Sequence, residues 1–442
     1  MSLTPPAKVE KLQDALRAKA KSAPTYRFYL LYDKVYRADV LAHAYERCRA
    51  NGGAAGVDGL SFADIEKDGG LGPWLAELSE DLRKKTYQPQ PVRRVWLPKP
   101  DGKQRPLGIP TIRDRVVQRA VVLVLEPIFE TDLPPEQYAY RPEKGALDAV
   151  RAVHSLVSRG YTEVVDADLS GYFDSIPHHE LMKCVARRVS DRHLLHLLKM
   201  WLEMPVEEID GRGVKTRTTR NRDEGRGTPQ GAVISPLLAN LYMRRFILGW
   251  KTQGHERRLD AKLVNYADDF VICCRGTGEP ALATMRVMMA KLKLTVNQAK
   301  TRLCRLPEET FDFLGYTIGR CYSPKTGRAY LGTYPSKKKV GKLIAEISRH
   351  TERRSTWREP AELVDLLNRK IGGWANYFCL GPVSKAYDRV SRHARQRLRR
   401  WLCRKYRVAG SGGDRFTGQH WHAELGLIDL RAHRRGFLCA YA

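Results

Sequence analysis

Tyr266-Ala-Asp-Asp269 sets two adjacent carboxylates between two apolar runs, Leu263-Val264 and Phe270-Val-Ile272. Short apolar runs around a polar tip read as a hairpin, so Asp268 and Asp269 fall where burial cannot account for them. Adjacent carboxylates offer hard oxygen donors to a divalent cation, although an isolated Asp-Asp is also at home in any turn. A third acid separates these readings. Val164-Val-Asp-Ala-Asp168 ends an apolar strand on a carboxylate that the same sheet can bring beside the hairpin. Asp168, Asp268 and Asp269, with Leu169 next to the first, would then hold two Mg²⁺ ions roughly 3.5 to 4 Å apart. Such a pair activates a 3′-hydroxyl and stabilises departing pyrophosphate, so the expected chemistry is nucleotidyl transfer.

Between the acidic segments lies Gly227-Thr-Pro-Gln-Gly-Ala-Val-Ile-Ser-Pro236, a Gly- and Pro-rich loop that opens a helix. Glycines such as Gly231 let backbone amides approach a sugar or phosphate, and Gln230 puts an amide at the bend. The loop alone says little. Placed after an acidic strand and before an acidic hairpin, it makes coincidence improbable.

The elements that must position these groups read as α+β. Helical spacing covers much of the first 50 residues, and a Gly-rich break follows at 51–59. Strands at 92–97 and 105–109 flank Pro98-Lys-Pro-Asp-Gly102, strong hairpin punctuation. A helix is expected over 116–129, strands over 162–169, 263–273 and 310–318, and helices over 181–201 and 282–292. Short hairpins among these strands predict an antiparallel sheet. From about residue 336 only helices are expected. Leu367, Ile371, Trp374 and Phe378 form one stripe; Val390, Ala394, Leu398, Trp401 and Leu402 form another.

The chain has 442 residues and a net charge of +28. A surplus that large favours an anionic partner, and nucleic acid is the obvious one. Residues 331–442 hold 24 Lys and Arg against 9 Asp and Glu, so just over half of the surplus lies in the last quarter. Nine of these cations fall between Arg389 and Arg407 with no acid among them, as a helix lying on a phosphate backbone would require. The nine cysteines show no C-x-x-C spacing, which argues against a disulfide framework or a zinc knuckle. No apolar run reaches the roughly 18 residues of a membrane span, so a soluble protein without a membrane partner is expected.

With these motifs in order, the chain resembles the reverse transcriptases, and among them the group II intron-encoded reverse transcriptase/maturase family. The stretches that carry the resemblance are Leu97-Pro-Lys-Pro-Asp-Gly-Lys-Gln-Arg-Pro-Leu-Gly-Ile-Pro-Thr111, Tyr138-Ala-Tyr-Arg-Pro142, residues 227–240, Tyr266 to Asp269, Phe313-Leu-Gly-Tyr316 and Gly373-Trp-Ala-Asn-Tyr-Phe378. The resemblance implies a right-hand polymerase: an N-terminal helical extension over 1–50, fingers over 51–150 and a palm with an antiparallel sheet over 151–320. A helical thumb and maturase-specific domain would cover 321–410, with a tail over 411–442.

By the same resemblance, Asp168, Asp268 and Asp269 look like the catalytic metal-binding triad, and Tyr266 would support the primer terminus. Lys99 and Arg105 would clamp the incoming triphosphate. Gln230, with Gly231, would meet the deoxyribose, and Phe173 would exclude a ribose 2′-hydroxyl. Lys300 resembles a lysine that protonates pyrophosphate, or is an ordinary solvated lysine. Phe313, Leu314, Gly315 and Tyr316 resemble a primer grip, or a strand with alternating aromatics. The implied activity is RNA-directed DNA synthesis from dNTPs on an RNA template with a DNA primer. The implied partners are also the group II intron RNA, whose splicing and mobility would be assisted, and target DNA. Arg389, Arg392, Arg395, Arg397, Arg399, Arg400, Arg404 and Lys405 would face that RNA. Some relatives add a Cys/His-rich endonuclease; none precedes Ala442, so DNA cleavage by this chain is not expected. The expected location is a bacterial cytoplasm, in association with the nucleoid. Two other roles fit the same residues: a splicing-only maturase, and a reverse transcriptase recruited by its host for defence or DNA repair.

Overall fold

The computed structural model describes residues 4–98, 102, 104–210, 213–410, 412–413, 415–416 and 420–432. The fold is α+β, as expected. Its strands are β1 (Val92–Pro98), β2 (Gln104–Ile109), β3 (Glu163–Asp168), β4 (Val206–Ile209), β5 (Lys215–Thr218), β6 (Ala261–Tyr266), β7 (Asp269–Cys274), β8 (Arg302–Arg305), β9 (Phe311–Phe313), β10 (Tyr316–Tyr322) and β11 (Ala329–Pro335). The chain forms two compact units. The first comprises residues 1–145, 167–272 and 279–302; the second comprises 146–166, 273–278 and 303–442.

The first unit is built around the helix Ile112–Glu130, where the sequence predicts one over 116–129. Thr111 starts it early: its hydroxyl accepts from Asp114 N and donates to the Asp114 carboxylate (2.8 Å), a side-chain cap for an end that has no intrahelical partners. Val116, Val117, Ala120, Val121, Val124 and Leu125 are fully buried, each worth roughly 1.5–3 kcal/mol for the larger side chains. The helices Ala7–Ser22 and Ala38–Asn51 pack on this rod.

The single helix expected over 181–201 is instead two, His178–Ala186 and Arg192–Leu202. Asp191 divides them. One of its oxygens caps the second helix through His193 N and Leu194 N, and the other accepts from Leu31 N (2.9 Å) and Tyr32 N (2.8 Å). Four main-chain donors outweigh the apolar periodicity that would have continued the helix.

One sheet of this unit has the order β2-β1-β4-β5. β1 and β2 pair antiparallel from Arg93↔Ile109 to Pro98↔Gln104, the expected hairpin. β4 joins β1 in parallel and β5 returns beside it. That second hairpin was not legible, because Lys215-Thr-Arg-Thr218 has no apolar residue.

Another sheet has the order β6-β7-β3-β8. Only Ala267 and Asp268 separate β6 from β7, so these two run antiparallel. Past the far end of β7, Gly278 N donates to the Glu163 carboxylate at the start of β3 (2.6 Å), so β7 and β3 are antiparallel too. Asp168, closing β3, and Asp269, opening β7, therefore share one end of the sheet.

In the second unit, β11-β10-β9 form a three-stranded antiparallel sheet. The one strand expected over 310–318 is two, folded back at Leu314 (φ 50°) and Gly315 (φ 86°). Two consecutive left-handed residues make the tight turn whose twist suits a hairpin. Three helices follow, Lys337–His350, Pro360–Tyr377 and Ser384–Lys405. Both predicted stripes face one core: Leu367, Ile371, Val390, Ala394, Leu398, Trp401 and Leu402 are buried there, joined by Phe416, Trp421, Leu427 and Leu430. Among the described residues no helix is long and apolar enough to cross a membrane.

Candidate active site

All the acidic residues singled out above lie in the first unit. Ala267 takes a left-handed φ of 58°, which strains any residue with a Cβ. The Asn265 side-chain amide holds the turn by donating to Ala267 O (2.8 Å). This raises Asp268, half-buried, and Asp269, exposed, at the hairpin tip. Asp268 is felt by two rings. Tyr140 has its hydroxyl pushed above the ordinary range by partial burial and then by Asp268 and Tyr266, with Arg105 opposing. Tyr172 is driven up by full burial, with Asp268 adding to the effect. Asp268 therefore lies near both, and Phe173 packs edge-on to Tyr172 at 5.8 Å.

Asp168 is anchored by a segment that follows the hairpin. Its main-chain N donates to Thr301 Oγ1 (3.2 Å), its carbonyl accepts from Asn297 N (2.9 Å), and its carboxylate accepts from Asn297 Nδ2 (3.0 Å). Lys300 Nζ stands 3.2 and 3.3 Å from the two carboxylate oxygens. Leu169 is buried and bridges to Val296. Among the described residues, no three His, Cys, Asp or Glu side chains form a metal-binding group. The Asp168 carboxylate is instead turned to the ammonium of Lys300, a monovalent substitute for the charge it could share with a dication. Carboxylate oxygens are nonetheless donors of the type that suits Mg²⁺, a hard cation that keeps several waters.

A cavity of about 530 Å³ opens in the same unit, and Arg105, Tyr140, Phe173, Gln230 and Gly231 all line it. Arg105 Nε donates to Gln230 Oε1 (3.1 Å) and Gln230 Nε2 donates to Asp174 (2.9 Å). Gly108 N donates to Gln230 O (2.6 Å), seating the loop on β2. Gly231 is required there: its φ is 105°, and a Cβ would stand 2.3 Å from Gly108 O. Lys99, the expected partner of Arg105, lies outside the described residues.

The other candidates fall in the second unit. Phe313 and Tyr316 are buried, the Tyr316 hydroxyl donates to Tyr377 O, and Tyr377 returns a bond to Leu314 O (2.8 Å). Only the Leu314-Gly315 turn is left partly open. On the helix Ser384–Lys405, Arg389, Arg392, Arg400 and Arg404 are exposed and Arg395 and Arg399 partly so. Arg397 is used internally, donating to Thr351 Oγ1 (3.0 Å), Ser348 O (2.9 Å) and Thr351 O (3.1 Å). Lys405 likewise donates to Arg358 O (2.8 Å). Arg399, Arg400 and Arg404 line a second cavity of about 500 Å³.

Three residues were missed as site members. Asn297 and Thr301 flank Lys300 in sequence but carried no signal of their own beyond that neighbourhood. Tyr140 lay within a motif already noted, and its left-handed φ of 55° at a tyrosine is visible only in three dimensions.

Comparison with known proteins identifies the family. The family described as reverse transcriptase (RNA-dependent DNA polymerase) matches residues 97–318, and the group II intron, maturase-specific domain matches residues 340–417. The chain is 33% identical to Protein YkfC of Escherichia coli over 367 residues, 75% of this chain and 93% of that protein. It is 28% identical to the group II intron-encoded protein LtrA of Lactococcus lactis over 353 residues, 66% of this chain and 57% of LtrA. A 91 kDa protein in the cob intron of Schizosaccharomyces pombe is 25% identical over 374 residues, 44% of its length. The chain thus spans about half the length of these two intron-encoded relatives, 57% of one and 44% of the other. The chain belongs to the reverse transcriptases, the RNA-directed DNA polymerases, and within them to the group II intron reverse transcriptase/maturase family.

Proposed function

We propose that the chain copies RNA into DNA at the acidic end of the β6-β7-β3-β8 sheet and binds group II intron RNA with its helical unit, assisting splicing. Asp168, Asp268 and Asp269, with the carbonyl of Leu169, would hold two Mg²⁺ ions. When bound, these would activate the primer 3′-hydroxyl and neutralise the leaving pyrophosphate. Arg105 lies where it can hold triphosphate oxygens, with Lys99 as its proposed partner. Gln230 and Gly231 form the floor against which the deoxyribose would rest. Phe173, lining the same cavity, would deny space to a 2′-hydroxyl. Lys300 would balance the Asp168 charge and stand ready to donate a proton to pyrophosphate. Tyr266 and the Leu314-Gly315 turn would steady the primer.

In this reading the chain has fingers, palm and thumb, with the thumb and maturase region over 321–410. The exposed Arg389, Arg392, Arg400 and Arg404, with the partly exposed Arg395 and Arg399, would face the intron RNA, and target DNA would be the substrate for mobility. Its place would be a bacterial cytoplasm near the nucleoid.

The observation that carries the proposal is the position of Asp268. Its hairpin is bonded to the segment that carries Tyr140, Asn265 O accepting from Tyr138 N (3.0 Å), and Tyr140 lines the cavity together with Arg105, Phe173 and Gln230. Asp268→Asn should abolish dNTP incorporation on a primed RNA template while leaving RNA affinity nearly unchanged, because it removes a metal ligand and no phosphate contact. Polymerisation at the wild-type rate by this variant overturns the assignment.

A further inference from the structure

The connection between the helices Lys337–His350 and Pro360–Tyr377 carries a feature that polymerisation does not use. Trp357 is 74% exposed, the most exposed large apolar side chain among the described residues. The guanidinium of Arg358 stands 5.3 Å from its ring centroid, a cation–π distance, and the exposure leaves the rest of the indole to solvent. Around it is a hollow of about 230 Å³ lined by Arg349, His350, Arg354, Ser355, Trp357 and Arg358. That is smaller than the cavities of drug-sized ligands and suited to one planar group. The Nε2 of His350 is buried there and has no hydrogen-bond partner among the described residues.

The platform is rigid beneath the exposed ring. Trp401 Nε1 donates to Ser355 Oγ (3.0 Å), Lys405 to Arg358 O (2.8 Å) and Arg397 to Thr351. The acids nearby hold these arginines only loosely. Glu352 pairs with Arg354 at 2.8 Å, but the arginine side chain is 83% exposed; Glu346 is 3.7 Å from Arg349 and is bound instead by Lys370 at 2.5 Å. Exposed pairs of this kind are easily exchanged for phosphate.

We infer that Trp357 stacks an unpaired RNA base, with Arg349, Arg354 and Arg358 on its flanking phosphates. The inference rests on the reading that the helical unit binds RNA. Duplex RNA hides its bases, so proteins discriminate RNA chiefly at bulges and loops, by stacking. An indole fixed among arginines meets that need, whereas a duplex backbone would be served by the arginines alone.

The test uses the full chain and two RNA hairpins of equal length, one with a single bulged 2-aminopurine and one fully paired. Wild-type protein should bind the bulged hairpin more tightly and quench its fluorescence. Trp357→Ala should weaken the bulged complex roughly 5- to 100-fold, abolish the quench and leave the paired complex unchanged. Trp357→Phe should restore most of the loss. Arg354→Ala should weaken both complexes and reduce the slope of log affinity against log salt by about 0.7 to 0.9. If Trp357→Ala binds the bulged hairpin as wild type does, or changes self-association instead, the stacking site is refuted and general RNA binding stands. If wild-type protein binds neither hairpin, the RNA-binding reading fails and this inference fails with it.

Discussion

Gly231→Ala is the most direct probe of the loop that carries Gln230. The new methyl group would stand 2.3 Å from Gly108 O and 2.9 Å from a methyl of Leu107, at a φ of 105° that only glycine adopts readily. Strain in such a region costs of order 1–3 kcal/mol. Moving the loop away also breaks the 2.6 Å bond from Gly108 N to Gln230 O, worth about 0.5–1.5 kcal/mol. The sum is roughly 2–4 kcal/mol, and the new methyl can be accommodated in two ways. If the whole loop stays seated, the bond survives and stability falls by the strain alone, about 1–3 kcal/mol. If the loop lifts from β2, which has its own pairing with β1 to hold it, Gln230 leaves both Arg105 and Asp174. The second is expected, because a loop moves more easily than a paired strand. The KM for dNTP should then rise by between about 25-fold and 700-fold, at 1.4 kcal/mol per factor of ten, with a smaller drop in Tm. Steady-state incorporation on a primed RNA homopolymer and a thermal melt measure both. Gly72→Ala is the control, since nothing lies within 4 Å of its added carbon. A Gly231→Ala enzyme with unchanged KM and unchanged Tm refutes the claim that close approach to Gly108 positions Gln230.

Four other perturbations separate roles that share a neighbourhood. Phe173→Val should admit ribonucleotides, lowering the ratio of kcat/KM for dNTP over NTP by roughly 10- to 200-fold; an unchanged ratio removes Phe173 from substrate choice. Lys300→Met takes away the ammonium 3.2 Å from Asp168. Because the lysine side chain is 65% exposed, its coupling is screened to about 1 kcal/mol or less, and half-saturating Mg²⁺ should fall by about two- to fivefold in a metal titration. A rise instead would mean that Lys300 assists the metal site. Arg397→Ala should lower Tm by several degrees, since it strips roughly 1.5–3 kcal/mol of charged hydrogen bonding from Thr351 and Ser348. Arg395, Arg399 and Arg400 changed together to Glu should leave the melt nearly unchanged while weakening RNA binding and flattening its salt dependence.

Local pattern accounts for what the sequence by itself determined. The alternation around Tyr266-Ala-Asp-Asp269, the end of the strand at Asp168 and the stripes through Leu367 and Val390 are written in neighbouring residues. Each reflects a geometric period that the chain imposes within one strand or one helix turn. The α+β character and the cationic last quarter follow in the same way from composition and spacing.

Tertiary structure decided which of these groups are available and to what. Arg397 and Arg400 are indistinguishable in a basic run, yet one is bound to the end of the helix Lys337–His350 and the other is open to solvent. Phe313 and Tyr316 read as strand residues until Leu314 and Gly315 turn the chain back between them. Asp191 breaks an apolar helix because Leu31 and Tyr32, about 160 positions away, present their amides to it. Tyr140 becomes a neighbour of Asp268 only when the chain brings the motif beside the hairpin. In each case the deciding partner is far off in sequence, and no window along the chain contains both halves of the interaction.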